Sequence, residues 1–300
     1  MVLAGLALAF ALAQAAPDRQ ASAPQTDETV PVARGGRLTV NNLAGEVVIH
    51  TWDRNAVHVV ARHQSRTRVN IRPTAAGLAI SANGTQGPQG SVDYDITAPS
   101  WMPIRVDGQF NFITIDGAQA EVSAESVRGD IVIKGGTGFV TAKSIEGEIS
   151  VEGARGKVTA SSVNESIKIV DTSGEVAADS INGEITMTRM DSKSVDASTV
   201  NGTITYEGTR VDGGHYSFTS HNGDLLLGIP ETSSATFSVR TYNGEFRSDI
   251  PLEGGKAEDL RRGRRVSMTL GKGSADVSLE SFGGEIRVRK GSATRSRGRP

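Results

Sequence analysis

The chain has 300 residues, a net charge of −2, 35 glycines, 5% aromatic residues and no cysteine. The missing thiols exclude a disulfide framework, a thiolate metal site and a cysteine nucleophile together. Near-neutral charge gives no general attraction to nucleic acid or membrane, and so few rings imply a thin core of small and β-branched side chains.

The N-terminal stretch MVLAGLALAFALAQAAPDRQ holds an apolar run from Val2 to Leu12, followed by Ala13-Gln14-Ala15. That pattern reads as the h-region and small-x-small cleavage site of a signal peptide over residues 1–16, without the usual positive n-region. An uncleaved anchor is the alternative use of such a run, although it is short for a bilayer span. No cysteine follows it to carry a lipid, and nothing later reads as a transmembrane helix. The expectation is export to the periplasm, outer envelope or surface of a bacterium. Residues 17–35 read as a polar, proline-containing linker.

Between residues 36 and 104, LTVNNLAGEVVIHTW, AVHVVARH, TRVNIRP, GLAIS and VDYDITAP read as strands without a clear repeat. This irregular β region is expected to begin the stack that follows and to cover its open edge. From residue 105 to 290 the same eight letters recur: SVRGDIVI from Ser126, SIEGEISV from Ser144, SINGEITM from Ser180, TVNGTITY from Thr199 and SHNGDLLL from Ser220. The shared glycine falls at Gly129, Gly147, Gly183, Gly202, Gly223, Gly244 and Gly284, with Glu165 in its place once and Gly108 fitting one step earlier. Steps of 18 to 21 residues, then one of 40, mark a solenoid interrupted near its end.

Each unit holds two short period-two alternations bounded by glycine, which argues for two strands per coil. In the unit from Ser144, Ile145, Ile149 and Val151 are expected inward, with Glu148 and Ser150 outward. After Gly153, Val158 and Ala160 alternate inward against Lys157 and Thr159. Residues 18 apart match better than hairpin neighbours do, so the fold class is an all-β parallel β-solenoid of nine or ten coils. Its columns would hold like residues: Ser144, Ser162 and Ser180 in one, and Asn164, Asn182, Asn201, Asn222 and Asn243 in another. Stacked amides can hydrogen-bond along the axis, and Asn-Gly pairs suit corners with positive φ. A charged insertion near residues 252–265 interrupts the pattern, RVSMTL, ADVSLES and GEIRVRK close the stack, and residues 291–300 form a basic tail.

YDITAPSWMPIRVDGQF followed by repeated S-[IV]-x-G-[DE]-I-x-[IVM] units resembles the bacterial putative-adhesin family of exported β-strand-repeat proteins. The resemblance spans residues 36 to 290. It implies a β-solenoid at the envelope and brings no catalytic residues with it. The chain departs from the pattern at Glu165 and in the insertion from Arg261 to Arg265.

The residues give little chemistry of their own. GGTGFV at Gly135 has the glycines of a calcium-binding β-roll, but Val140 stands where that roll needs an aspartate. Beside the glycine column runs Asp130, Glu148, Ser166, Glu184, Thr203, Asp224, Glu245 and Glu285, which reads as a solvated face or a weak cation-attracting strip. His50, His58 and His63 lie close in sequence without a recognisable third metal partner. His221 takes a position otherwise held by valine or isoleucine, which suggests a packed imidazole. Trp52, Trp101 and Tyr206 read as isolated packing residues. Arg261, Arg262, Arg264 and Arg265 form the sharpest charge cluster, suited to an anionic partner; without interleaved aromatics it does not suit nucleic acid. No cofactor is expected. The leading function is a non-enzymatic envelope or surface scaffold that holds an envelope protein or glycan. An envelope-stress regulator is an alternative, and a polysaccharide-acting enzyme would need an acid/base cluster that breaks the repeat.

Overall fold

The computed structural model describes residues 26–85, 87–209, 211–255, 260 and 264–291. The expected signal, residues 17–25 of the linker, Arg261, Arg262 and residues 292–300 of the tail lie outside them. Among the described residues no helix is long and apolar enough to cross a membrane.

β1 (Thr26–Pro31) falls inside the expected linker, where its backbone pairs antiparallel with a later strand. β2 (Arg37–Trp52) serves two walls: Leu38 and Val40 point inward in the first, Val47 and Ile49 in the second. β3 (Ala56–His63), β4 (Thr67–Thr74), β5 (Gly77–Gly84) and β6 (Val92–Pro99) then build outward from β2. β7 (Ile104–Ala118) returns along the other side of β2, again serving both walls.

Regular coils follow, each with one strand per wall. They are β8 (Val122–Arg128) with β9 (Ile131–Gly135), β10 (Thr137–Glu146) with β11 (Ile149–Glu152), and β12 (Arg155–Ser161) with β13 (Ile167–Val170). β14 (Ser173–Ser180) leads into β15 (Ile185–Thr199), which ends one coil and begins the next, completed by β16 (Ile204–Gly208). β17 (His215–Ser220) and β18 (Leu225–Ile229) form the last coil laid down in chain order.

The register pairs like with like: Val140 with Val158, Val158 with Val176, Ile149 with Ile167, Ile167 with Ile185. The first wall buries Val-x-Ala (Val140 and Ala142, Val158 and Ala160) and the second Ile-x-Ile or Ile-x-Val. Each buried isoleucine contributes about 1.5–3 kcal/mol. Departures from the 18-residue step have local causes, a bulge between Gly174 and Glu175 that admits Lys193 and extra residues between β16 and β17. Tyr206 is not isolated. It packs against Phe218 and Tyr216 at ring-centroid distances of 5.1 and 6.0 Å, replacing the small core side chains of earlier coils.

The chain does not finish in order. β19 (Ala235–Thr241), β20 (Phe246–Ser248), β21 (Glu253–Gly254) and β22 (Val266–Leu270) are placed before β23 (Ala275–Ser281) and β24 (Ile286–Lys290) slot in. β23 pairs with β17 on one side and β19 on the other, while β24 lies between β18 and β20. The first wall therefore reads β5-β2-β7-β8-β10-β12-β14-β15-β17-β23-β19, eleven parallel strands. At about 4.8 Å per rung that is a stack about 48 Å long. Antiparallel strands cover both ends: β4 on β5, β3 on β6 with β1 in turn on β3, and β22 on β19.

Candidate functional site

The recurring S-x-x-G segment is the corner between the two walls. In the first wall the inward alternation runs Val140, Ala142, Ser144, so the serine enters the core in phase with the apolar residues. Its hydroxyl then has to find partners, because an unpaired buried hydroxyl costs about 1–3 kcal/mol. It finds them in the backbone. Ser180 Oγ accepts the Gly183 N–H at 2.9 Å, and Thr199, Ser220 and Ser281 repeat the bond to Gly202, Gly223 and Gly284. The hydroxyl also donates along the stack, from Thr199 to the Gly183 carbonyl at 3.2 Å and from Ser220 to that of Gly202 at 3.1 Å. At Ser162 the Glu165 N–H takes the glycine's part, at 3.3 Å.

The corner glycines are not there for positive φ, which Gly129 shows but Gly147, Gly183, Gly202, Gly223 and Gly244 do not. They are there for space. A Cβ on any of those last five would lie well inside contact distance of the carbonyl oxygen of the preceding rung. Gly108 is displaced from the column expected for it. It pairs with Asn42 and stands in the serine's place, while Asn111 takes the glycine's. There the buried side chains of Asn42 and Asn111 hydrogen-bond at 2.7 Å and do the work of the hydroxyl.

With the serine inward, the next residue turns outward. Ile145, expected in the core, is 46% exposed, and only Ile149 and Val151 of that trio are buried. The bend resets the alternation between the walls, which a count along the sequence does not register. The consequence is a continuous stripe along one edge, one residue per rung and apolar but for the imidazole of His221: Val127, Ile145, Val163, Ile181, Val200, His221, Phe282 and Tyr242. All are exposed except the half-exposed Val163.

Two further columns flank it. Asn164, Asn182, Asn201 and Asn222 form a chain of hydrogen-bonded side-chain amides, each N–H donating to the previous side-chain carbonyl oxygen at 2.8–2.9 Å. Asn243 does not sit on Asn222, because β23–β24 places Gly283 between them and the chain of amides ends there. Toward the N-terminus the same column continues as Glu146 and Arg128, whose guanidinium is ion-paired to Glu146 and lies 5.9 Å from the Phe110 ring centroid. The acidic column partly serves the backbone: Asp130 accepts the Glu148 N–H at 2.9 Å and Asp224 the Glu285 N–H at 2.8 Å. Arg247 bridges Glu245 and Glu285 at 2.8 and 3.5 Å. Its basicity is raised, first by the hydrogen bond to Glu245 and then by the charge of Glu285.

Among the described residues no group of three or more His, Asp and Glu is arranged to hold a metal ion. His58 lies 2.9 Å from Asp27 and His63 3.1 Å from Thr26, so these rings tie β1 to the molecule. His221 is exposed, not enclosed, and stacks on Phe282 with ring centroids 4.7 Å apart. Arg265, from the expected basic cluster, lies 3.3 Å from Glu280, which also faces Arg240 at 3.7 Å. Leu260, in the same insertion, is buried.

No curated protein matches the chain. A crystal structure of a "putative cell adhesion protein" from Clostridium sporogenes aligns over 88% of this chain and 100% of its own, at 10% identity and a TM-score of 0.21, an overlap too poor to carry an argument. Across residues 38–289, from the first inward leucine of β2 almost to the end of β24, the chain matches the Toastrack DUF4097 family, and it belongs to that family.

Proposed function

We propose that the protein is a non-enzymatic scaffold, exported to the envelope or surface of a bacterium, that holds a partner along its S-x-x-G corner. The observation that carries this reading is the apolar stripe from Val127 to Tyr242. Scattered exposed apolar residues are ordinary on protein surfaces, but a contiguous line of them marks an interaction site. The repeat makes the line straight, since every rung places its residue over the one before. Export is supported by the apolar run and small-x-small motif of residues 1–16.

The test replaces Ile145 and Ile181, both exposed, by glutamate in the full chain. Wild-type protein is expected to co-sediment with isolated bacterial envelopes, and Ile145→Glu/Ile181→Glu to lose at least 10-fold in the bound fraction with an unchanged melting temperature. Equal binding by the two proteins, or no binding by either, would remove the stripe from the argument.

A further inference from the structure

Four corners carry an Asn-Gly pair: Asn182-Gly183, Asn201-Gly202, Asn222-Gly223 and Asn243-Gly244. Such a pair is chemically labile, because a glycine has no side chain to hinder attack of its own nitrogen on the asparagine amide. The four share most of their surroundings. Every one of these asparagines is exposed to water. Every glycine N–H donates to its corner hydroxyl, at 2.9, 3.2, 2.9 and 3.0 Å in chain order. They differ in the side-chain amide. Those of Asn182 and Asn201 each donate to one neighbour and accept from another, and that of Asn222 donates only. Asn243 takes no part in this chain, because Gly283 occupies the rung between it and Asn222. Its corner is also the last of the described stack: β22 pairs with β19 only over Ala235–Val239 and does not reach Thr241 to Gly244.

We infer that Asn243 is a site of spontaneous covalent modification, at which the side-chain amide is lost and aspartate or isoaspartate is left. The Gly244 nitrogen gives up its proton and attacks the Asn243 side-chain Cγ. A C–N bond forms, and the amide nitrogen departs as ammonia with that proton. Water then opens the succinimide. Opening at the side-chain carbonyl leaves aspartate; opening at the main-chain carbonyl leaves isoaspartate, with the chain running through the former side chain. To begin, the amide must turn away from its hydrogen-bonded neighbours toward the main chain. That breaks two bonds at Asn182 and Asn201, one at Asn222 and none at Asn243. The remaining pair, Asn83-Gly84, is not at a corner; it lies in β5, where Asn83 is paired with Arg68. Modification places a carboxylate beside Tyr242 at the end of the stripe. Isoaspartate also lengthens the main chain where Gly244 is pressed against the Gly284 carbonyl. None of this depends on a partner being held along the corner.

The test holds the folded full chain at mildly alkaline pH, digests samples in acid at intervals, and follows each corner peptide by mass spectrometry for the exchange of ammonia for water. Asn243 is expected to convert about 10-fold faster than Asn182 or Asn201, with Asn222 between them. In urea, with the corners lost, the four rates should become alike. Gly283→Asn supplies the missing amide, and a Cβ there would meet nothing closer than 3.6 Å. It should slow Asn243 to the wild-type rate of Asn222, and Asn222 to that of Asn201. Should that variant melt earlier than the wild type, Asn201→Ala tests the same step, since it strips Asn222 of its amide partner and should speed its conversion. Equal rates at the four corners of the folded chain, or a rate at Asn182 or Asn201 above that at Asn243, overturn the inference. So does a spread of rates that persists in urea, or indifference of Asn243 to a stably folded Gly283→Asn and of Asn222 to Asn201→Ala.

Discussion

At the corner, serine and glycine act as one device. The hydroxyl closes the turn and reaches the rung below, and the missing side chain of the glycine lets that rung come close enough. A methyl on Gly202 would fall on the Gly183 carbonyl, in backbone held by parallel pairing from both sides. Gly202→Ala is expected to lower the unfolding free energy by about 1–3 kcal/mol, read as an earlier urea midpoint with an unchanged slope. At the far end of the second wall a different column is strained. Gly135, Gly153, Asp171 and Arg189 follow one another by 18 residues, with φ of 94, 71, 51 and 54°. Left-handed backbone costs a non-glycine residue about 1–2 kcal/mol, and the half-exposed Asp171–Arg189 ion pair returns only about 0.2–1, despite two bonds of 2.6 and 2.7 Å. Asp171→Gly/Arg189→Gly should therefore be at least as stable as the wild type in thermal unfolding. The hydrogen bond from Arg189 holds the Asp171 carboxyl below its ordinary range. A lowered pKa stabilises the fold in full above the usual carboxylate value of about 3.9, and that contribution fades as pH drops through the folded-state value. The advantage of the double variant should accordingly widen in acid, by under about 1 kcal/mol.

Among the elements, the two strands that arrive last decide how the stack is closed. β23 and β24 occupy the slot between the coil before them and the coil after, so β17 and β18 have no partner on that side until the final segment is in place. A parallel strand left with a free edge is a template for another chain. Removing residues 233–300 should give a protein that self-associates, seen by light scattering, whereas removing 292–300 alone should leave the size distribution unchanged. The same feature marks where spacing along the chain ceases to give position in the stack. The columns from Ser126 to Asn222 were legible because the register there is the repeat itself, so residues 18 to 21 apart in the chain are neighbours in space. The same logic puts Asn243 on the rung after Asn222, but chain order no longer equals spatial order at that point. Gly108 failed differently: Gly108 and Asn111 exchange the usual places of corner filler and spacer, and a count of glycines cannot detect an exchange.

For the molecule as a whole, the parallel solenoid and its two strands per coil follow from period and alternation alone. The candidate edge was less legible. Valine and isoleucine next to the corner serine read as core by composition, and only the bend between the walls turns them to solvent. The end covers were partly legible: an irregular β region was expected to protect the open edge, but nothing in TDETVP distinguishes a covering strand from linker.

The middle coils, from β8 to β16, run in simple succession, while each terminus is secured by chain that doubles back past its neighbour. Length and closure are therefore separate properties. An 18-residue unit could be added to or taken from the middle without disturbing either lock, moving the two extremities apart or together by one backbone spacing each time. Such a molecule is a ruler with fixed stops, and the distance it spans can be reset by tandem duplication alone.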